Sequence, residues 1–279
     1  MPFAKLTPQY TLYYLDENQS GKAAIFLFHG LGANSNSWQM QISDLVQAGY
    51  RVIAPDAPGF GQSSNPLNKT SIAFTSNLFS GLIDHLGLKR VIAAGISMGG
   101  THALQLALDY PTRVEKLVLI NTFSSMNPAN PKVLPYFALR FLLIHTMGLE
   151  AQAKSVAKRI FPKAEQEPFR LEYLNQISTV NPRTYRKVMR SLARFNVNRR
   201  LAEIRCPTLV ISGENDTTVP LKTQAKLVEK IPGATQRIIP AAGHAVSIEQ
   251  PETFNQILLE FLKQPVTHST FAPLAKQGA

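Results

Sequence analysis

The sequence predicts an α/β fold, with a mostly parallel β-sheet covered by helices on both faces and a helical insertion late in the chain. Short, mainly apolar runs alternate with stretches of helical periodicity, which is typical of buried parallel strands joined by helices. The alternation stops between residues 124 and 205, where helical patterns punctuated by prolines continue without a strand run. A length of 279 residues suits one large α/β domain with such an insertion.

Six apolar runs of four or five residues are the predicted parallel strands, and loop-forming residues follow each of them. The runs occupy residues 24–28, 51–54, 91–94, 116–120, 208–211 and 236–239. Such runs, apolar without strict alternation, are expected for strands that are buried on both faces. Residues 10–14 are predicted to form an antiparallel edge strand.

Helical periodicity predicts five helices outside the insertion, at about residues 36–48, 71–87, 98–110, 221–231 and 251–263. The last is the clearest, because Pro251 and Glu252 suit a first helical turn and apolar residues then recur at helical spacing. The predicted organisation is a core domain (1–123 and 206–263), a helical insertion of three to five short helices (124–205) and a flexible tail (264–279).

The composition narrows the class of protein. Hydrophobic residues make up 44% and charged residues 17%, which is typical of a globular chain rather than a disordered one. The single cysteine, Cys206, excludes an internal disulfide and a cysteine-based zinc site. No apolar run reaches the roughly 20 residues of a membrane-spanning helix, and the first residues do not read as a secretory signal. We therefore expect a cytoplasmic protein without a transmembrane segment.

The sharpest chemical signal is the segment Gly95-Ile96-Ser97-Met98-Gly99, which follows a predicted strand and precedes a predicted helix. Small residues flank a serine in this way when it stands on a sharp, strained turn between a strand and a helix. Such a turn lifts the hydroxyl out of the carboxyl end of the sheet, at a helix N-terminus. Ser97 is therefore the candidate nucleophile.

A serine hydroxyl is a poor nucleophile unless a base removes its proton. Among the six histidines, His244 has the expected position, after the last predicted strand and before the last helix. An acid that orients this histidine is expected at the end of the preceding strand. Asp216 is the preferred candidate and Glu214 the reserve, with helix capping near Pro220 as the alternative role of Asp216.

The tetrahedral intermediate of acyl transfer also needs an oxyanion hole, which backbone N–H groups commonly provide. The N–H of Met98 is adjacent to the nucleophile at a helix start. Leu31, which lies between two glycines in an early strand-end loop, offers a second N–H. This chemistry requires no metal ion and no organic cofactor, so we expect neither.

Together with a further motif, these segments resemble the α/β-hydrolase superfamily over about residues 10–263. The matching segments are residues 29–32, 56–63, 95–99, 213–216 and 243–244. The resemblance implies the α/β-hydrolase fold, identifies the insertion with that family's helical cap over the substrate pocket, and gives Asp56 a structural rather than a catalytic role. Ser97 argues against members with a carboxylate nucleophile, such as haloalkane dehalogenases and epoxide hydrolases.

The resemblance also implies a pocket and an activity. Phe123, Val219 and Val246 occupy typical lining positions and Trp38 is a further candidate, although all four are equally suited to the core. The implied activity is hydrolysis of a small-molecule carboxylic ester through an acyl-enzyme. The alternatives are hydrolysis of a carbon–carbon bond or an enol-lactone, acyl transfer or perhydrolysis by the same triad, and a ligand-binding protein with little turnover.

The net charge of +11 is concentrated in the insertion, which holds 15 lysines and arginines against five glutamates. Five of these cations are spaced to share one broad helix face: Arg183, Arg186, Lys187, Arg190 and Arg194. One interpretation is a solvated surface; the others are attraction of an anionic substrate, of a substrate linked to an acidic carrier protein, or of anionic lipid. Nucleic acid is not expected, because no recognition motif accompanies the charge.

Overall fold

The computed structural model describes residues 2–65, 70–126 and 134–265. Its strands are β1 (Phe3–Lys5), β2 (Thr11–Glu17), β3 (Ala24–Phe28), β4 (Arg51–Pro55), β5 (Val91–Ile96), β6 (Val114–Ile120), β7 (Thr208–Gly213) and β8 (Thr235–Ile239). They form one sheet with the order β1-β2-β4-β3-β5-β6-β7-β8. β2 is antiparallel to β1 and β4, and the other neighbouring pairs are parallel. The predicted fold class is confirmed, and the short β1 is an addition to the predicted strands.

The helices are α1 (Gln39–Gln47), α2 (Ile72–His85), α3 (Met98–Asp109), α4 (Leu134–Thr146), α5 (Gly148–Ile160), α6 (Glu167–Ser178), α7 (Pro182–Arg194), α8 (Leu221–Lys230), α9 (Val246–Glu249) and α10 (Pro251–Lys263). Strand β3 shows how they cover the sheet. Phe26 and Phe28 belong to a core shared with α2, α3 and α8, whereas Ile25 and Leu27 belong to a core shared with α1, α9 and α10. Both faces of the strand are therefore buried, as its continuous apolar run predicts.

The parallel direction of β3, β5, β6 and β7 brings their carboxyl ends to one edge of the sheet. Helices α4 to α7, here called the inserted helices, lie in the chain between β6 and β7. They contact the core domain at several points: Ser191 of α7 accepts from the N–H of Ile72 at 3.1 Å, and the Tyr173 hydroxyl of α6 donates to the Leu31 carbonyl at 3.3 Å. The second contact places α6 against the loop that follows β3.

Within the described ranges, none of the helices combines the length and the apolar character needed to cross a membrane. Helix α10 has the bounds that the sequence predicts. Residues 266–279 of the predicted flexible tail lie outside the described residues.

Candidate active site

Ser97 stands at the turn between β5 and α3, with backbone angles φ 53° and ψ −114°. A positive φ is strained for a residue that carries a side chain. The flanking glycines are required by close packing: a Cβ on Gly99 would overlap the Phe28 carbonyl, and a Cβ on Gly95 would overlap the backbone of Gly99. The turn is therefore the strained strand-to-helix turn that the sequence motif predicts.

Hydrogen bonds on both sides of Ser97 hold this turn. Its N–H donates to the carbonyl oxygen of Ile120 at 2.9 Å, and its own carbonyl oxygen accepts from the Thr122 hydroxyl at 2.6 Å. Both partners belong to the end of β6 and the residues that follow it. The neighbouring strand thus fixes the orientation of the serine.

His244 and Asp216 are joined by a hydrogen bond of 2.8 Å between Nδ1 of the imidazole and Oδ2 of the carboxylate. Asp216 is 4% exposed, and its Oδ1 accepts from the N–H groups of Thr218 at 2.8 Å and Val219 at 2.9 Å. Because the carboxylate is an acceptor, Nδ1 carries the ring proton and Nε2 is left as an acceptor.

Glu214, the reserve acid, is exposed and accepts from the N–H of Ala241 at 2.9 Å. The acid that contacts His244 is therefore Asp216. The two N–H groups that donate to Asp216 belong to the turn before α8. The N-cap of α8 is Pro220 and no side chain caps this helix, so the capping alternative for Asp216 is wrong.

Asn121 is a buried residue that sequence reasoning missed. Its backbone has a positive φ of 42°. Its Nδ2 donates to the carbonyl oxygens of Gly243 at 2.9 Å and His244 at 2.8 Å, and its Oδ1 accepts from the N–H of Gly213 at 2.8 Å. Asn121 therefore ties the end of β6 to the end of β7 and to the loop that carries His244. An asparagine directly after a buried strand was the only sequence signal for it.

The loop after β3 approaches the serine closely, since a Cβ placed on Gly30 would lie 3.9 Å from Cβ of Ser97. Leu31, the next residue, lines the same cavity as Ser97. The N–H of Met98 belongs to the first turn of α3, where N–H groups have no partner within the helix. Leu31 and Met98 thus both lie near the serine, and the role of their N–H groups as oxyanion donors stays a prediction.

Buried polar residues brace this loop. The His29 Nδ1–H donates to the adjacent carbonyl at 2.8 Å, and its Nε2 accepts from the N–H of Ala57 at 3.0 Å. Burial lowers the pKa of His29 and so favours the neutral ring that this pair of bonds requires. The Asp56 carboxylate accepts from the N–H groups of Ser35 at 2.7 Å and Gln62 at 2.8 Å. It therefore joins the backbones of two separate segments, which is a structural role.

Ser97 and His244 line one cavity of about 130 Å³. Three of the four predicted pocket residues also line it: Trp38, Phe123 and Val219. Val246 does not, since it is fully buried in the core shared with α1 and α10. The residues that reach the cavity from this segment are instead Ala245, Ser247 and Ile248.

The inserted helices supply the opposite wall of the cavity, with Tyr136 and Arg140 from α4, Val156 from α5 and Tyr173 from α6. Sequence periodicity predicts helices here, but it does not say which face covers the serine. The sequence contains one indication of that face, because Arg140 interrupts the apolar run of α4. Two further wall atoms, Nε1 of Trp38 and Oγ1 of Thr218, are buried and have no hydrogen-bond partner among the described residues.

Comparison with known proteins identifies the family. The model of the α/β hydrolase fold family matches residues 23–251. The chain is 32% identical over 259 residues to a 2-hydroxy-6-oxo-6-phenylhexa-2,4-dienoate hydrolase of Burkholderia cepacia, with 89% of this chain and 90% of that protein covered. It is 31% identical over 267 residues to a 2-hydroxy-6-oxononadienedioate/2-hydroxy-6-oxononatrienedioate hydrolase of Comamonas testosteroni, with 89% and 90% covered.

Among solved structures, the enol-lactonase of Burkholderia xenovorans LB400 is similar to the chain, with a TM-score of 0.85 and 25% identity. The match covers 94% of this chain and all of that one. The chain therefore belongs to the α/β-hydrolase fold family. The protein is therefore an enzyme of the hydrolase class.

Proposed function

We propose that the protein is a serine hydrolase that cleaves carboxylic esters of small acids through an acyl-enzyme on Ser97. One observation carries the proposal: Ser97, on a strained turn at a helix N-terminus, shares a cavity with a histidine whose Nδ1 is bonded to a buried aspartate. This is the set of groups that acyl transfer by a serine requires, namely a nucleophile, a base and an acid that orients the base.

In the first half-reaction, Oγ of Ser97 attacks the ester carbonyl carbon while Nε2 of His244 takes the serine proton. Asp216 stabilises the imidazolium that forms. The N–H groups of Leu31 and Met98 bind the oxyanion of the tetrahedral intermediate, and such donors are each worth about 10²–10³ in rate. His244 then gives its proton to the leaving alkoxide oxygen as the carbon–oxygen bond breaks.

In the second half-reaction, water attacks the acyl carbon and His244 takes its proton. The second tetrahedral intermediate collapses with return of that proton to Oγ of Ser97, which releases the carboxylic acid. No metal ion or organic cofactor takes part in this scheme. We propose that the inserted helices act as a cap that surrounds the substrate, because they supply one wall of the cavity.

The size of the cavity favours small substrates. Its volume of about 130 Å³ is similar to that of engineered cavities that hold a benzene molecule. The test is hydrolysis of short p-nitrophenyl esters by the wild type and by Ser97→Ala. We expect the variant to lose activity while its melting temperature stays close to that of the wild type. Equal rates in the two proteins would refute the proposal.

A second candidate is hydrolysis of a carbon–carbon bond or an enol-lactone by the same residues. It is supported by the names of the relatives, which include dienoate hydrolases at 31% and 32% identity and an enol-lactonase. Incubation with 2-hydroxy-6-oxo-6-phenylhexa-2,4-dienoate distinguishes the two. Loss of the dienoate absorbance faster than ester hydrolysis at matched concentrations would favour the second candidate.

A further inference from the structure

Arg140 is a buried cation in the wall of the catalytic cavity. Arg140 lies in the middle of α4 and is 8% exposed. It lines the same cavity as Ser97 and His244. A charge removed from water in this way is costly unless an opposite charge compensates it.

The groups that surround Arg140 are polar but neutral. Its Nη2 donates to the Tyr185 hydroxyl at 2.9 Å. The Gln152 amide, oriented with its oxygen toward the guanidinium, accepts from Nε at 2.9 Å and from Nη2 at 3.1 Å. The guanidinium carbon lies 5.5 Å from the centre of the Tyr136 ring. Burial by itself lowers the pKa of Arg140, but the nearby tyrosine oxygens have a larger effect in the opposite direction, so the pKa is raised. The guanidinium is therefore charged at all working pH values.

A carboxylate partner is missing from this set. Every aspartate and glutamate of the chain lies within the described ranges, and none of them forms an ion pair with Arg140. Arg51 provides the contrast, because its half-buried guanidinium is bound by Asp16 at 2.8 Å through two parallel hydrogen bonds. The fold therefore supplies a carboxylate for a cation remote from the cavity and supplies none for the cation inside it.

Arg140 is also connected to the loop beside the serine. The Tyr185 hydroxyl that accepts from Arg140 is also hydrogen-bonded to the Tyr173 hydroxyl, and the Tyr173 hydroxyl donates to the carbonyl oxygen of Leu31 at 3.3 Å. This network holds the guanidinium in a fixed position relative to the loop next to Ser97. A ligand group bound by Arg140 would therefore fix the position of the rest of the ligand in the cavity.

A second cleft meets the catalytic cavity at Arg140. It shares Leu31 and Arg140 with that cavity, and its wall includes Arg186 and Arg190 of α7. Arg186 and Arg190 thus line the same cleft as the buried Arg140. Three cations in one cleft favour the approach of anionic ligands to Arg140.

We propose that Arg140 binds a carboxylate of the substrate, so that the enzyme selects small esters or lactones that carry a carboxylate remote from the scissile carbonyl. The inference rests on the proposed function, since it takes Ser97 as the reacting group. The planar guanidinium fork suits a carboxylate. One guanidinium in a cavity of about 130 Å³ matches a single negative charge on a small molecule.

The direct test measures binding without turnover, in a Ser97→Ala background. The probes are monomethyl glutarate and methyl pentanoate, which have acyl chains of similar length and differ in one carboxylate. Ligand-detected NMR, which reports millimolar affinities, gives both dissociation constants. We expect the anionic ester to bind about tenfold or more tightly than the neutral one.

Substitution of Arg140 should remove this difference. Arg140→Gln is expected to bind the two esters equally, Arg140→Lys to keep part of the preference, and the control Lys158→Gln to keep all of it, because Lys158 is an exposed cation on α5 outside both cavities. If the role of Arg140 is purely structural, Arg140→Gln should bind both esters more weakly by the same factor and should have a lower melting temperature. If Arg140→Gln does not fold, equal affinities of the two esters for the Ser97→Ala protein alone overturn the proposal.

Hydrolysis by the wild type separates this inference from the proposed function. Activity on methyl pentanoate equal to that on monomethyl glutarate supports the serine hydrolase and overturns the carboxylate site. Selective binding of monomethyl glutarate without hydrolysis of either ester supports the carboxylate site and refutes the ester hydrolase.

Discussion

The side-chain amide of Asn121 donates a 2.8 Å hydrogen bond to the backbone carbonyl oxygen of His244. The same side chain accepts from the N–H of Gly213 at the end of β7. One residue thus links the strand that supports Ser97, the strand that leads to Asp216 and the loop that carries His244. We propose that Asn121 positions the histidine, since it bonds to the backbone of that residue and not to its ring.

Asn121→Ala should reduce the turnover number about tenfold or more, because the loop of His244 loses its anchor. The free energy of unfolding should fall by about 2–4 kcal/mol, since buried backbone groups lose their partners. Steady-state kinetics and urea unfolding measure the two effects. The matched control is Asn255→Ala, a buried amide that bonds to Met40, Asp44 and Gln41 and to none of Ser97, Asp216 and His244. It should lose stability with little change in turnover, and an equal loss of turnover in both variants would argue against positioning.

Asp216→Asn should lower the turnover number by about 10⁴-fold, because the amide no longer favours the proton on Nδ1 of His244. The control is Glu214→Gln, two positions earlier in the chain, because the Glu214 side chain accepts from the N–H of Ala241 and does not contact His244. We expect it to remain within about twofold of the wild type. A large loss in Glu214→Gln together with a small loss in Asp216→Asn would reverse the assignment of the acid.

The cleft beside α7 gives a prediction about charge. Arg186→Glu combined with Arg190→Glu should reduce kcat/KM for anionic esters about threefold to tenfold at low salt, through weaker steering. The loss should shrink at high salt, where exposed charges are screened. Lys226→Glu with Lys230→Glu makes the same change of charge on exposed positions of α8. If both double variants leave every substrate's rate unaltered, the positive face of α7 is only a solvated surface.

His102 gives a prediction about stability and pH. It is buried beside Phe79, and burial, together with the nearby His29, lowers the pKa of His102 to about 3. An unfolded histidine titrates near 6.5, so between pH 6.5 and about 3 the unfolded state binds a proton that the folded state does not. The free energy of unfolding should therefore fall by about 1.4 kcal/mol per pH unit from this residue as the pH drops through that range.

In His102→Gln, this part of the pH dependence should disappear, and the plot of urea midpoint against pH should be shallower below pH 6.5. Above pH 6.5, where the histidine is neutral in both states, the two proteins should respond to pH in parallel. Equal slopes in the acid range would mean that His102 is protonated in the folded protein.

Much of the fold could be predicted from the sequence, because its elements are marked by local patterns. The apolar run at 24–28 has the bounds of β3, and the proline and periodicity of 251–263 define α10. The three-residue strand β1 was not predicted, because it is too short to show a periodic pattern and forms by antiparallel pairing with β2. The turn at Ser97 was predictable because a strained backbone between close-packed elements leaves glycines in the sequence.

The remaining parts of the site depend on distant contacts, for which the sequence has no local signal. Val246 and Ser247 are adjacent on a short helix, yet only Ser247 faces the cavity. Asn121 bonds to residues more than 90 positions away in the chain. Arg140 looked like an interruption of an apolar helix, and its place beside Ser97 follows only from how the inserted helices pack on the core.

Mass spectrometry of the wild type, quenched in acid during turnover of p-nitrophenyl acetate, tests most directly whether Ser97 forms an acyl-enzyme. We expect an added acetyl group on the peptide that contains Ser97, and no such group in Ser97→Ala. Continued turnover with no adduct on that peptide, or an adduct on another residue, would mean that Ser97 is not the nucleophile.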